Sequence, residues 1–253
     1  MREVTFVEAI REVQAEVLEA DDRVFVIGQE IGSYGGVFRA TQGLSAQFGE
    51  HRIRDTPIAE QSMVGLAVGA AAMGMRPIVE VMFMDFIACC MDAIVNHAAK
   101  LRYMSGGQFC VPLVIRTQGG TGTHHGSQHS QMFESWFVHV PGLAVVVPST
   151  PEDAKGLFKS AVALDDPVLF VEHRALYKTR GEIDDPVAPV PLGQGVIRRQ
   201  GTDVTVVAVG GTVHQALSAA GQLDAEDVSV EVIDLRTLVP MDVELVLESL
   251  SRT

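Results

Sequence analysis

Two stretches of this 253-residue chain carry side chains whose types and spacing suit chemistry on a bound ligand. The first is Asp55-Thr56-Pro57-Ile58-Ala59-Glu60, which leads into a small-residue run from Gln61 to Gly74. Thr56 is expected to cap a helix through its hydroxyl, with Pro57 at the first helical position and Glu60 in the first turn. The helix dipole stabilises a carboxylate there, so Glu60 serves either as helix-start electrostatics or as a group that acts on a ligand at the helix mouth. A capping box is excluded, because the position it needs for Glu is occupied by Ala59. The second stretch runs from Thr117 to Gln131 and holds His124, His125, His129 and four glycines. Ser130 reads as the cap of a helix from Gln131 to His139, which leaves His129 just outside its N-terminus. A protonated imidazole is disfavoured there, and a neutral one suits proton transfer or hydrogen bonding to a substrate. Rival readings are a solvated polar loop and a metal site of His124, His125 and His129, the latter without the Cys or HExxH support such sites use.

Both stretches need a scaffold. Apolar runs at Arg23–Gly28, Pro77–Met84, Val111–Arg116, Leu143–Val147 and Val168–Glu172 read as buried strands. Between them lie helical patterns at residues 5–19, Gln61–Gly74, Asp85–Met104 and Pro151–Leu164, the last capped by Thr150. Strands alternating with helices give an α/β fold with a parallel sheet, whose functional loops sit at the C-terminal strand ends. The glycines at 32, 35, 36 and 43 follow the first strand but match neither the Rossmann nor the P-loop spacing. Gly65, Gly69 and Met73 share a helix face, read as tight core or subunit packing. Domain 1 is expected over 1–175, with a proline-interrupted linker at 176–192. A second βαβ unit follows over 193–253, with strands at 203–210 and 228–235 and helices at 212–223 and 242–250.

The net charge of −13 and pI near 5.0 argue against nucleic-acid and anionic-membrane surfaces. Three cysteines, two of them adjacent, make a poor disulfide framework and fit a reducing compartment, read as cytoplasm. The N-terminus has no apolar signal core, and the uncharged run from Gln61 to Met75, 15 residues, falls short of the roughly 20 a membrane helix needs.

DTPIAE (55–60), GLAVGAAAMGMRP (65–77), EVMFMDF (80–86), NHAAKLRYMSGG (96–107), QHSQ (128–131), VVPSTPEDAKGL (146–157) and DLRTLVPMD (234–242) occur in this order. Together they resemble the β-subunit of thiamine-diphosphate-dependent 2-oxoacid dehydrogenases, closest in the MFMDF wording to pyruvate and acetoin types. The likeness covers nearly the whole chain. It implies a transketolase-like pyrimidine-binding domain, then the start of a smaller transketolase C-terminal-type domain, since family members continue past the position of Thr253. It implies an α2β2 heterotetramer in which the α-subunit holds magnesium and the diphosphate; this chain has no Gly-Asp pair. The reaction implied is decarboxylation of a 2-oxoacid, or cleavage of acetoin, with acyl transfer to the lipoyl group of an acyltransferase. Residue by residue, Glu60 matches the glutamate that hydrogen-bonds the cofactor's aminopyrimidine, Phe86 the aromatic packed on that ring, and Ile58 and Met82 neighbouring pocket positions. His129 matches a histidine near the reacting carbon. Leu113, Ala161, Leu164 and Asp166 match positions whose backbone carbonyls hold potassium. His124, His125 and the pair Cys89–Cys90 depart from the family's usual residues. A non-catalytic assembly partner that keeps the fold is the alternative expectation.

Overall fold

The computed structural model describes residues 1–122 and 124–253; Thr123, inside the expected histidine loop, lies outside them. The chain opens with a short strand, β1 (Arg2–Thr5), ahead of helix α1 (Phe6–Ala20). Thr5 and Glu8 form a capping box at the start of α1. The apolar runs of the sequence become β2 (Val24–Gly28), β4 (Arg76–Val81), β5 (Val114–Gly119), β6 (Ala144–Val146) and β7 (Val168–His173), with β3 (Ile53–Asp55), reached through the short helix α2 (Leu44–Phe48), at one edge. They form a seven-stranded sheet in the order β12-β6-β7-β5-β4-β2-β3, parallel except for β12 (Thr237–Val239), which runs antiparallel to β6.

Alternation along each strand sends side chains to two layers. Val24, Val26, Ile78, Val114 and Phe170 pack beneath α1 and α6 (Pro151–Ala163), with Phe6, Ile10, Leu157 and Phe158. Phe25, Ile27, Val79, Val81 and Ile115 face α3 (Glu60–Ala72), with Met63, Val64 and Ala67. The helix expected at residues 5–19 is therefore a covering layer with one fully buried face. Three-layer burial explains why these strands read as continuous apolar runs rather than alternating ones.

Several expectations change. The helix expected from Asp85 to Met104 is broken into a 3-10 turn at Met84–Cys90, a π-helical stretch at Ala93–Ala98 and the short helix α4 (Leu101–Met104). Apolar spacing alone does not separate these forms, which differ in which carbonyl each N–H reaches. The stretch read as a linker contains β8 (Arg180–Ile183), paired antiparallel with β1. Gly65 and Gly69 are exposed, and an added Cβ at either would meet nothing within 4 Å, so that face of α3 packs on nothing within the chain.

Beyond residue 193, β9 (Val196–Arg199), β10 (Val204–Ala208) and β11 (Val230–Asp234) form a sheet in the order β10-β11-β9, with α7 (Gly211–Leu223) crossing between the parallel β10 and β11. Asp242 caps α8 (Val243–Leu250).

Candidate functional site at the strand ends

Glu60 is the first residue of α3, but Thr56 does not cap it. The Thr56 hydroxyl donates instead to the Gly28 carbonyl at 3.3 Å, and the Thr56 N–H donates to the same oxygen at 2.9 Å. The cap position falls on Ala59, which makes no side-chain bond. These bonds tie the end of β3 to the end of β2 and fix where α3 begins. Gln29, the residue after β2, is 6% exposed and its amide donates to Glu60 Oε1 at 3.0 Å.

The 3-10 turn Met84–Cys90 lies between Glu60 and the histidine loop. On the Glu60 side, burial pushes the Cys90 thiol up to about 12, with the charge of Glu60 adding to the effect. On the other side, the His129 ring stands edge-on to Phe83 at 4.6 Å and to Phe86 at 5.3 Å. Gln131 donates to Asp85 Oδ1 at 2.7 Å through its side chain, and the Phe133 N–H meets Met84 Sδ at 3.1 Å. The loop is thus stapled to the turn. Ser130 caps nothing, because the next helix, α5 (Glu134–Val138), starts later with Phe133 at its cap. Met82, at the end of β4, accepts a bond from Gln118 on its carbonyl at 2.7 Å, and Ile58 is 83% exposed beside Glu60 in sequence.

Glu60, Ile58, Met82, Phe86 and His129 therefore all belong to segments leaving the C-terminal ends of parallel strands. His124 and His125 are exposed, and among the described residues no group of three His, Cys, Asp or Glu side chains is arranged to hold a metal. Leu113, Ala161, Leu164 and Asp166 lie at the opposite end of the sheet. There the Leu113 carbonyl accepts from the Val168 N–H at 2.8 Å, and Arg76 donates to the carbonyls of Val162 and Leu164 at 2.9 and 3.0 Å. Carbonyls at the C-terminus of α6 suit a cation, and Arg76 already supplies one.

Sequence reasoning missed a buried ionic group beneath this site. Arg116 grips Glu172 through two bonds of 2.7 and 2.9 Å and Glu80 through a third of 2.6 Å, while the Tyr177 hydroxyl donates to Glu172 at 2.5 Å. Burial raises the Glu80 carboxyl above its ordinary range, with Arg116 opposing and Glu172 adding to the rise. Charged residues inside three apolar strand runs were the signal, since such groups are buried only when paired. Arg174 was also missed: it donates to the His129 carbonyl at 3.3 Å and lies over the Phe83 ring at 5.2 Å. A cleft of about 540 Å³ lined by Ser33, Ser45, His51 and Arg54 lies beside β3 and contains none of the expected site residues.

Residues 2–180 match the family described as the transketolase pyrimidine binding domain, and residues 193–253 the transketolase C-terminal domain. The 2-oxoisovalerate dehydrogenase subunit beta of Bacillus subtilis (strain 168) is 45% identical over 254 residues, spanning 100% of this chain and 78% of that protein. The chain belongs to the family of 2-oxoacid dehydrogenase β-subunits. Two further β-subunits are about equally similar: the pyruvate dehydrogenase E1 component subunit beta of Rickettsia felis, 45% identical over 99% of this chain and 77% of its own, and the acetoin:2,6-dichlorophenolindophenol oxidoreductase subunit beta of Cupriavidus necator, 46% identical over 97% and 75%. Among solved structures, one titled "Split gene transketolase, inactive beta4 tetramer" superposes with a TM-score of 0.82 at 23% identity, covering 99% of this chain and 77% of its own, a likeness of fold. In this β-subunit family the transketolase-like fold goes with dependence on thiamine diphosphate. The near-equal identities to branched-chain, pyruvate and acetoin members do not select a substrate.

Proposed function

We propose that this chain is the β-subunit of a thiamine-diphosphate-dependent 2-oxoacid or acetoin dehydrogenase component that works with an α-subunit in an α2β2 heterotetramer and passes its acyl product to a lipoyl-bearing acyltransferase. The observation that carries the reading is the setting of Glu60. It is a carboxylate at a helix start, anchored on one oxygen by an amide, with no ion-pair partner among the described residues and an aromatic side chain, Phe86, on the adjoining turn. An aminopyrimidine, flat and rich in N–H and ring nitrogen, fits a free carboxylate oxygen beside an aromatic surface.

When bound, thiamine diphosphate supplies the electron sink that lets a 2-oxoacid lose carbon dioxide. The chain's own residues orient and exchange protons. Glu60 would hold the aminopyrimidine through its second carboxylate oxygen, where it can take or give a proton. Phe86, Met82 and Ile58 give the ring an apolar seat, and Ile58 is exposed enough for the partner subunit to complete that seat. His129, fixed by Phe83, Phe86 and the Arg174 bond to its carbonyl, presents its imidazole for proton transfer near the acyl group. Magnesium and the diphosphate fall to the α-subunit; with Arg76 on the Leu164 carbonyl and the Val168 N–H on that of Leu113, no potassium ion is assigned to Leu113, Ala161, Leu164 and Asp166.

Co-expression with the α-subunit tests this. Glu60→Gln is expected to lower turnover by about 10²–10⁴-fold, the usual range for a lost proton-transfer group, while the assembled complex stays intact. Undiminished turnover in an intact complex removes the assignment of Glu60; an α-subunit that binds this chain yet is equally active with and without it would leave the chain as an assembly partner.

A further inference from the structure

Among the described residues Glu60 has no ion-pair partner and one hydrogen-bond partner, Gln29, and the setting of that partner is built rather than incidental. Gln29 is buried, and its amide reaches Glu60 Oε1 at 3.0 Å from across the β2 and β3 strand ends. The residue before it, Gly28, is clamped by the two bonds from Thr56. The residue after it, Glu30, has φ of +57°, a conformation uncommon outside glycine, and its carbonyl accepts from the Gly36 N–H at 2.8 Å. Gln29 is thus held on both sides with its side chain aimed at Glu60. On the α3 side, Cys90 is fully buried and its thiol donates to the Ile87 carbonyl at 3.4 Å, so it offers Glu60 no competing donor.

Other long polar side chains at position 29 would change the chemistry of Glu60. A Lys or Arg would pair with the carboxylate and neutralise it before any ligand arrived. A Glu would share a proton with it and make the two titrate as a pair. An amide does neither, since its N–H donates but does not exchange as an acid in the working range. We infer that Gln29 is the positioning residue of Glu60: it fixes one carboxylate oxygen with an uncharged, non-relaying donor, so that proton exchange at Glu60 is left to the ligand side. This rests on the reading of Glu60 as the aminopyrimidine partner, and the two are tested separately.

The test uses the complex with the α-subunit and reads thiamine diphosphate binding by calorimetry. Gln29→Leu is expected to weaken binding by about five- to tenfold, the worth of one hydrogen bond to a positioned group. Gln29→Asn, a methylene too short, should bind no better than Gln29→Leu. Added to Glu60→Gln, the Gln29→Leu change should cost little further, because the carboxylate it positions is gone. Weakened binding in Glu60→Gln with unchanged binding in Gln29→Leu, or a full additional loss in the double variant, overturns the inference while the reading of Glu60 stands. Unchanged binding in Glu60→Gln overturns both.

Discussion

Arg116 carries two carboxylates in a setting where none of the three groups is more than a tenth exposed. Removing one partner of such a group costs far more than the group contributes as a whole, because the charges left behind have no water to turn to. Arg116→Met is expected to destabilise the chain by about 3–5 kcal/mol in urea unfolding. Glu80→Gln should behave differently, since it leaves the two-pronged Arg116–Glu172 pair intact. Glu80 holds its proton to higher pH in the folded chain than in the unfolded one. Its contribution to stability is therefore full below the ordinary Glu value of 4.5 and is lost as pH rises through the folded-state value. The Gln variant lacks that loss, so its stability relative to wild type should improve with pH above 4.5, by at most ~1.4 kcal/mol per pH unit. A flat difference between the two across that window would show that Glu80 stays ionised. At this scale, the place of Glu60 in the first turn of α3 was legible in the sequence, while the caps read at Thr56 and Ser130 were not, because each depends on where the chain turns before the helix. Gln29 and Arg174 were not, because nothing about a lone Gln or Arg in sequence says which strand end lies opposite.

The elements divide by how local their causes are. The central strands were legible because burial on both faces leaves an unbroken apolar run in each. Strands β1, β8 and β12 were not, since each is three or four residues long and gains its identity from a partner distant in sequence. The helix-start signals show the same division. Thr150 caps α6 as its sequence suggests, donating to Asp153 Oδ2 at 2.7 Å and accepting from the Asp153 N–H at 3.1 Å. Thr56 has equally suitable neighbours, but its hydroxyl goes to Gly28 because β2 and β3 bring that carbonyl within reach. At α1 the capping box is complete, the Glu8 carboxylate taking the Thr5 N–H at 2.8 Å and the Thr5 hydroxyl accepting from the Glu8 N–H. Thr5→Ala is expected to cost about 1 kcal/mol, lowering the melting midpoint by about 2–4 °C. Thr56→Ala should leave the helicity of α3 unchanged in circular dichroism, because no cap is lost.

At the scale of the whole molecule, the two sequence regions are joined by polar groups as well as by β12. Asp153 near the start of α6 binds both Arg198 from β9 and Arg236 from the turn before β12. Arg198 also donates to Asp234 Oδ2 at 2.9 Å, an oxygen that further accepts from the Ser149 hydroxyl at 2.5 Å. The His214 ring nitrogen meets the Ser149 carbonyl at 2.8 Å. Asp234 is fully buried, and burial raises its carboxyl while Ser149 and Arg198 oppose the rise. With β12 completing the first sheet and these bonds crossing the junction, the chain is expected to unfold in one cooperative calorimetric transition. Arg198→Met should break that unity. It strips Asp234 of its guanidinium and leaves Asp153 with Arg236 and the Thr150 hydroxyl, so the junction loses about 3–5 kcal/mol while the apolar layers around the main sheet are untouched. The second region should then melt first as a separate transition, and limited proteolysis should begin within residues 176–192. A single transition that merely shifts downward would mean that β12 pairing alone couples the two regions, and that the polar junction contributes stability without contributing cooperativity.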